Sequence, residues 1–129
     1  MANRIVNIEI AGTQYPLNFS IKAAKEVTKR YGALEKVADV FEKKTEDELF
    51  DELMFLLALL LDQGARYKEI VNGEKVRTFT ADELEVVMGS MDCIDLKSTL
   101  MSAMAAGSEQ SIKLEESETE KNAETTQGQ

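Results

Sequence analysis

Nine consecutive apolar residues, Leu53 to Leu61, interrupt a chain that is otherwise strongly acidic. Crossing a bilayer takes about 20 such residues, so the run reads as the buried half of a helix. The stretch before it agrees. Thr45 followed three residues later by Glu48 is a capping-box pair, in which each side chain satisfies an orphan backbone N–H of the other. Glu46, Asp47, Glu48, Asp51 and Glu52 form a carboxylate group there; they read as an acidic helix start, favoured by the helix dipole, rather than as a metal cluster. One helix is therefore expected from Glu46 to about Gln63, with Gly64 ending it. A helix apolar nearly all round has to be enclosed, so the other elements must wrap around it.

The 129 residues suffice for one ordinary domain with a core. With 43% hydrophobic residues, 6% aromatic residues and no Trp, that core must be aliphatic. At the N-terminus, Arg4 to Ile10 alternate, with Val6, Ile8 and Ile10 on one face: a half-buried strand. Ala11-Gly12-Thr13 is a turn, and Tyr15, Leu17 and Phe19 alternate again, which completes a β-hairpin. Pro16 cannot donate a ladder hydrogen bond, so its strand should be an edge or should turn Pro16 outward. Ser20 is an N-cap for a helix whose apolar positions are Ile21, Ala24, Val27 and Tyr31, and Gly32 is its C-cap. Lys22, Lys25, Lys29 and Arg30, the densest basic group, fall on its solvated face. A short helix follows from about Leu34 to Phe41, with Leu34, Val37, Ala38 and Phe41 on one side.

Asn72-Gly73 is a type I′ turn signal flanked by β-branched and aromatic residues. It leaves two readings open, a small second hairpin or an exposed loop with a tight tip. Thr80 and Glu83 repeat the capping-box pair and start a long helix through Leu84, Val87, Met88, Met91, Ile94 and Leu96 toward Ala106. Gly89 and Ser90 are weak helix formers at which it can bend or break. Beyond Gly107 the composition changes: six Glu stand against two Lys, and only Ile112 and Leu114 are sizeable apolar groups. The expected organisation is thus one α+β, mainly helical domain over residues 1–106, with an N-terminal hairpin and four or so helices. An acidic disordered tail over 107–129 follows it.

The chemistry-bearing residues are sparse. There is no histidine, which removes the commonest general base and metal ligand. The single cysteine, Cys93, allows no internal disulfide, suits a reducing cytoplasm, and reads as apolar filling. Ser102 and Thr99 have no base to activate them. No glycine-rich phosphate loop or calcium loop is present, so no catalytic, cofactor or metal site is assigned. A net charge of -9 argues against gripping nucleic acid. No signal peptide is visible and no run is long enough for a membrane span. The distinctive feature is a set of methionines, Met88, Met91, Met101 and Met104. They read either as core filling at helical spacing or as an adaptable apolar face for a helical partner.

Taken together, "YPLNFSIKAAKEVTKRYGALEKV", "TEDELFDELMFLLALLL" and "YKEIVNGEKVRTFTADEL" resemble the tail assembly chaperones encoded by tailed phages and prophages, especially those of Firmicutes. The resemblance covers about residues 3 to 105. Its most specific part is the strand-to-helix passage "LNFSIKAAKEVTKRYG". It implies a protein of the host cytoplasm that binds the tape-measure protein, keeps it soluble, recruits tail-tube protein and is absent from the mature virion. It also implies a longer form of the same protein made by ribosomal frameshifting. The competing readings are a small acidic regulatory protein that binds a host protein, and a minor structural tail component.

Overall fold

The computed structural model describes residues 4–108. Strands β1 (Val6–Ile10) and β2 (Thr13–Leu17) pair antiparallel, with Val6 opposite Leu17 and Ile10 opposite Thr13. The two turn residues, Ala11 (φ 51°) and Gly12 (φ 87°), both lie in the left-handed region, as a type I′ turn demands. Five α-helices follow: α1 (Ile21–Tyr31), α2 (Val37–Glu42), α3 (Glu46–Tyr67), α4 (Ala81–Val87) and α5 (Leu96–Gly107). The fold is α+β and mainly helical. Among the described residues no helix is long and apolar enough to cross a membrane.

Helix α3 is the central element, as its apolar run requires. Leu53, Leu56, Leu57, Leu60 and Leu61 are fully enclosed, and every other element contributes to the same aliphatic core. Thr45 and Glu48 make the reciprocal capping box at its start. The helix does not stop at Gly64, however. It continues to Tyr67, and Gly64 is buried within it. A β-carbon on Gly64 would lie 2.5 Å from the Pro16 carbonyl carbon and 3.1 Å from the Leu17 nitrogen. This glycine lets the β2 backbone rest directly on the helix. Pro16 sits on an edge strand, but it is buried rather than outward, because its peptide group meets α3 here. One step on, the Asn18 N–H donates to the Leu60 carbonyl at 3.1 Å. The hairpin is thus attached to α3 through main chain.

Ser20 caps α1 by accepting from the Ala23 N–H at 3.0 Å, and Gly32 (φ 94°) closes it. The buried stripe is Ala23, Val27 and Tyr31, so Ile21 faces solvent and is 82% exposed. The apolar set therefore steps by four from Ala23 rather than starting at the first helical residue. Residues Leu34–Lys36 form a 3-10 turn ahead of α2, which buries Val37 and Phe41 and leaves Leu34 and Ala38 outside.

Among the described residues there is no second hairpin. A single π-helical turn, Lys68–Asn72, widens the end of α3, and Gly73 (φ 72°) terminates it. A type I′ turn needs two left-handed residues. Here only Gly73 is left-handed, so Asn72-Gly73 ends a helix instead. The following residues run to Phe79 without strand pairing, and the Phe79 ring meets Tyr15 edge-on at 5.1 Å.

The long helix expected after Thr80 is two helices, which raises the count to five. Thr80 and Glu83 form their capping box, with both hydrogen bonds at 3.0 Å. Met88 and Gly89 then take extended conformations, and the Gly89 N–H donates to Asp92 at 2.8 Å. Residues Ser90–Cys93 make a 3-10 turn before α5 begins. Replacing Thr80 with Ala is expected to cost about 1 kcal/mol, read as a lower urea midpoint at unchanged slope. Helix α5 runs to Gly107, whose backbone lies against Phe19. Of the tail expected over 107–129, the part from Glu109 on lies outside the described residues.

Candidate docking surfaces

The turn between α4 and α5 carries the main exposed apolar surface. Helix α4 is seven residues long and buries only Leu84 fully. Val86, Met91 and Ile94 are 79%, 73% and 66% exposed, and Val87 is also exposed. Val86 lies on the outer face of α4, and the break at Met88–Gly89 takes the chain off the helical phase, so Met91 and Ile94, which a continuous helix would turn inward with Leu84, face solvent instead.

A groove lies on each side of this corner, and Met88 lines both. The first has Phe50, Met54 and Leu84 among its apolar walls, with Asp47, Asp51 and Glu85 adding charge. Ile8, Ile10, Val87 and Leu96 line the second, together with Glu9, Asp92 and Asp95. No Lys or Arg is among the residues lining either groove. Cys93 is half-buried in the first, where burial and then the neighbouring Asp92 push its thiol pKa up. The sulfur is therefore held as a neutral thiol, which is poorly nucleophilic.

A third groove, of about 380 Å³, has the opposite charge. Ile21, Tyr67, Ile70 and Val71 supply apolar surface, and Arg4, Lys22 and Arg66 supply positive charge. Its polar wall is a partly buried network. The Ser20 hydroxyl, already the α1 cap, donates to Gln63 Oε1 at 2.6 Å, and Gln63 Nε2 donates to Asp62 at 3.0 Å. Arg4 donates to Asn18 Oδ1 at 2.9 Å. The wide turn at 68–72 leaves Ile70 76% exposed beside this network.

Glu52 lies apart from all three. It is buried on α3 and turned toward α1, not grouped with the acidic helix start as the sequence suggests. Arg30 holds it with Nε at 2.9 Å and Nη2 at 3.2 Å, and the Tyr31 hydroxyl donates to the same carboxylate. Lys44 Nζ is 3.9 Å away, and the Arg30 guanidinium stacks 4.1 Å from the centre of the Phe55 ring. Burial pushes the Glu52 pKa up, but the hydrogen bonds and charges of Arg30, Tyr31 and Lys44 outweigh it, and the net shift is downward. Desolvation, then Glu52, push the Tyr31 hydroxyl pKa well up. This cluster locks α1 to α3.

The four methionines do not share a face. Met104 is buried in the core and Met101 packs half-buried against it. Met88 is half-buried between the two acidic grooves, and Met91 is exposed. Only Met88 and Met91 belong to the corner, joined there by Val86, Val87 and Ile94. One sequence signal for this was Val86, an apolar residue one position out of phase with Leu84 and Val87. Comparison of the chain with family models, curated proteins and solved structures gives no match.

Proposed function

We propose that the chain is a tail assembly chaperone that binds an amphipathic helix of a tape-measure protein in the cytoplasm. The observation that supports this is the α4–α5 corner: exposed Val86, Val87, Met91 and Ile94 between two acid-rimmed grooves. Exposed aliphatic residues with a charged rim are the anatomy of a protein-binding patch. The rim selects the partner. A helix with an apolar stripe and Lys or Arg flanking it would meet carboxylates on both sides. Such a contact forms and breaks no covalent bond. The chain's net negative charge would keep a greasy partner dispersed while tail-tube subunits arrive, after which the chaperone leaves.

Co-expression with the tape-measure protein tests this. Met91→Asp with Ile94→Asp changes two exposed side chains, so circular dichroism and the thermal midpoint should stay close to the parent's. Soluble tape-measure protein should fall to the level seen without the chaperone, since central contacts of this kind carry about 2 kcal/mol or more each. A folded double variant that keeps the tape measure fully soluble would remove the corner from the contact. Finding the protein stoichiometrically in purified particles would replace the chaperone reading with a structural one.

A further inference from the structure

We infer that the groove between the start of α1 and the end of α3 docks an acidic amphipathic helix of a second protein. Its apolar surface is concentrated and open. Ile21, Ile70 and Val71 are all exposed, and half-buried Tyr67 lines the same groove. The π-helical turn at Lys68–Asn72 is what presents Ile70 and Val71, and single turns of this geometry recur at functional sites. The rim has one sign. Arg4, Lys22 and Arg66 line the groove, and no Asp or Glu does. Among the described residues no carboxylate pairs with Lys22 or Arg66. In a chain with 24 acidic against 15 basic residues, this is a local reversal of charge.

The polar wall asks little of an occupant, because Asn18, Ser20 and Gln63 already hydrogen-bond within it. What it leaves to be met is aliphatic surface and positive charge. A helix with a stripe of large aliphatic residues, flanked by Asp or Glu, meets both at once. A nucleic acid would neutralise the cations but leave Ile21, Ile70 and Val71 facing water. A basic helix would be repelled. The α4–α5 corner lies well away. Met54 lines a groove there and Tyr67 lines this one, and the two are about 20 Å apart along the axis of α3. Helices of opposite charge can therefore occupy the two surfaces together. The inference does not rest on the reading of the corner, since it uses different residues and the opposite charge.

Methyl-labelled full chain titrated with two synthetic peptides provides the test. Each is a stapled helix of about 16 residues with Leu at helical spacing. One carries Glu at the remaining positions and the other carries Lys. The Glu peptide is expected to shift the Ile21, Ile70 and Val71 methyl signals and to leave Val86, Val87 and Ile94 in place. Ile70→Asp changes an exposed side chain and should weaken that binding on the order of 30-fold, with the thermal midpoint close to the parent's. Lys22→Glu with Arg66→Glu, both exposed positions, should hand the groove to the Lys peptide. No shift at Ile21, Ile70 and Val71 with about 1 mM Glu peptide overturns the proposal. So does equal binding of both peptides there. Movement of the same signals on simple dilution, with no peptide present, would make a second copy of the chain the occupant and overturns it too. Failure of the Lys peptide to shift Val86, Val87 and Ile94 counts against the corner and not against this groove.

Discussion

Replacing Gly64 with alanine is expected to destabilise the protein by about 3 kcal/mol or more, although alanine is the better helix former. The sign is what makes the substitution informative. At an unobstructed position within a helix, the change from glycine to alanine stabilises by about 1 kcal/mol. Here the new β-carbon would be driven into the Pro16 peptide group, 2.5 Å from its carbonyl carbon. Backbone cannot rotate aside as a side chain can. Either β2 lifts from α3, breaking the Asn18–Leu60 hydrogen bond, or the helix distorts within its most enclosed stretch. Urea unfolding reads the effect as a lower midpoint. A midpoint equal to or above the parent's would show that β2 does not rest on α3 as described.

Removing the Glu52 side chain should cost about 2–3 kcal/mol. Breaking a buried ion pair usually costs more, but the Arg30 side chain is 41% exposed and water recovers part of its solvation. The loss includes the hydrogen bond from Tyr31, whose ring also packs edge-on against Phe41 and Phe55. The pH dependence follows from the same contacts. Glu52 has a lower pKa in the folded state than in the unfolded chain. Its contribution is therefore present above the ordinary carboxyl value near 4.5 and is lost as pH falls through the folded value. For Tyr31 the shift is the reverse. Its hydroxyl is harder to ionise when folded, so its contribution is present below the ordinary value of 10.0 and is lost as pH rises beyond it. Stability measured against pH should fall at both ends. Glu52→Gln should flatten the acid limb and Tyr31→Phe the alkaline limb. If neither limb changes, the cluster does not couple protonation to folding.

What could be read directly from the sequence was local. Ser20, Gly32, Thr45 with Glu48, and Thr80 with Glu83 act on backbone within a few residues of themselves, and each stands in its expected role. The apolar run of α3 is a nearly local signal, because a helix greasy on all sides has only one place to go. Residues whose roles are set by distant neighbours were misread. Gly64 resembles a helix stop until the β2 backbone is known to cross it. Glu52 resembles one more carboxylate in an acidic start until Arg30 and Tyr31 arrive from α1. Asn72-Gly73 has the composition of a hairpin turn, yet Asn72 stays out of the left-handed region.

The candidate surfaces were less legible than the fold. Methionine spacing groups four residues along one long helix, although Gly89 and Ser90 already mark a place where that helix can break. The break at Gly89 separates Met88 and Met91 from Met101 and Met104: Met91 is exposed, Met88 and Met101 pack half-buried against the core, and Met104 is buried within it. The groove at Ile21 and Ile70 joins the start of α1 to the end of α3. No periodicity within either segment could have revealed it.

The main-chain attachment of the hairpin also bears on how such a chain can diverge. Peptide groups are common to every amino acid, so a descendant could exchange most side chains of β2 and retain the same junction, provided position 64 never acquired a β-carbon. Kinship among such molecules would survive longest in one unbranched spot partway along a greasy helix, where ordinary residue-by-residue resemblance would already have faded.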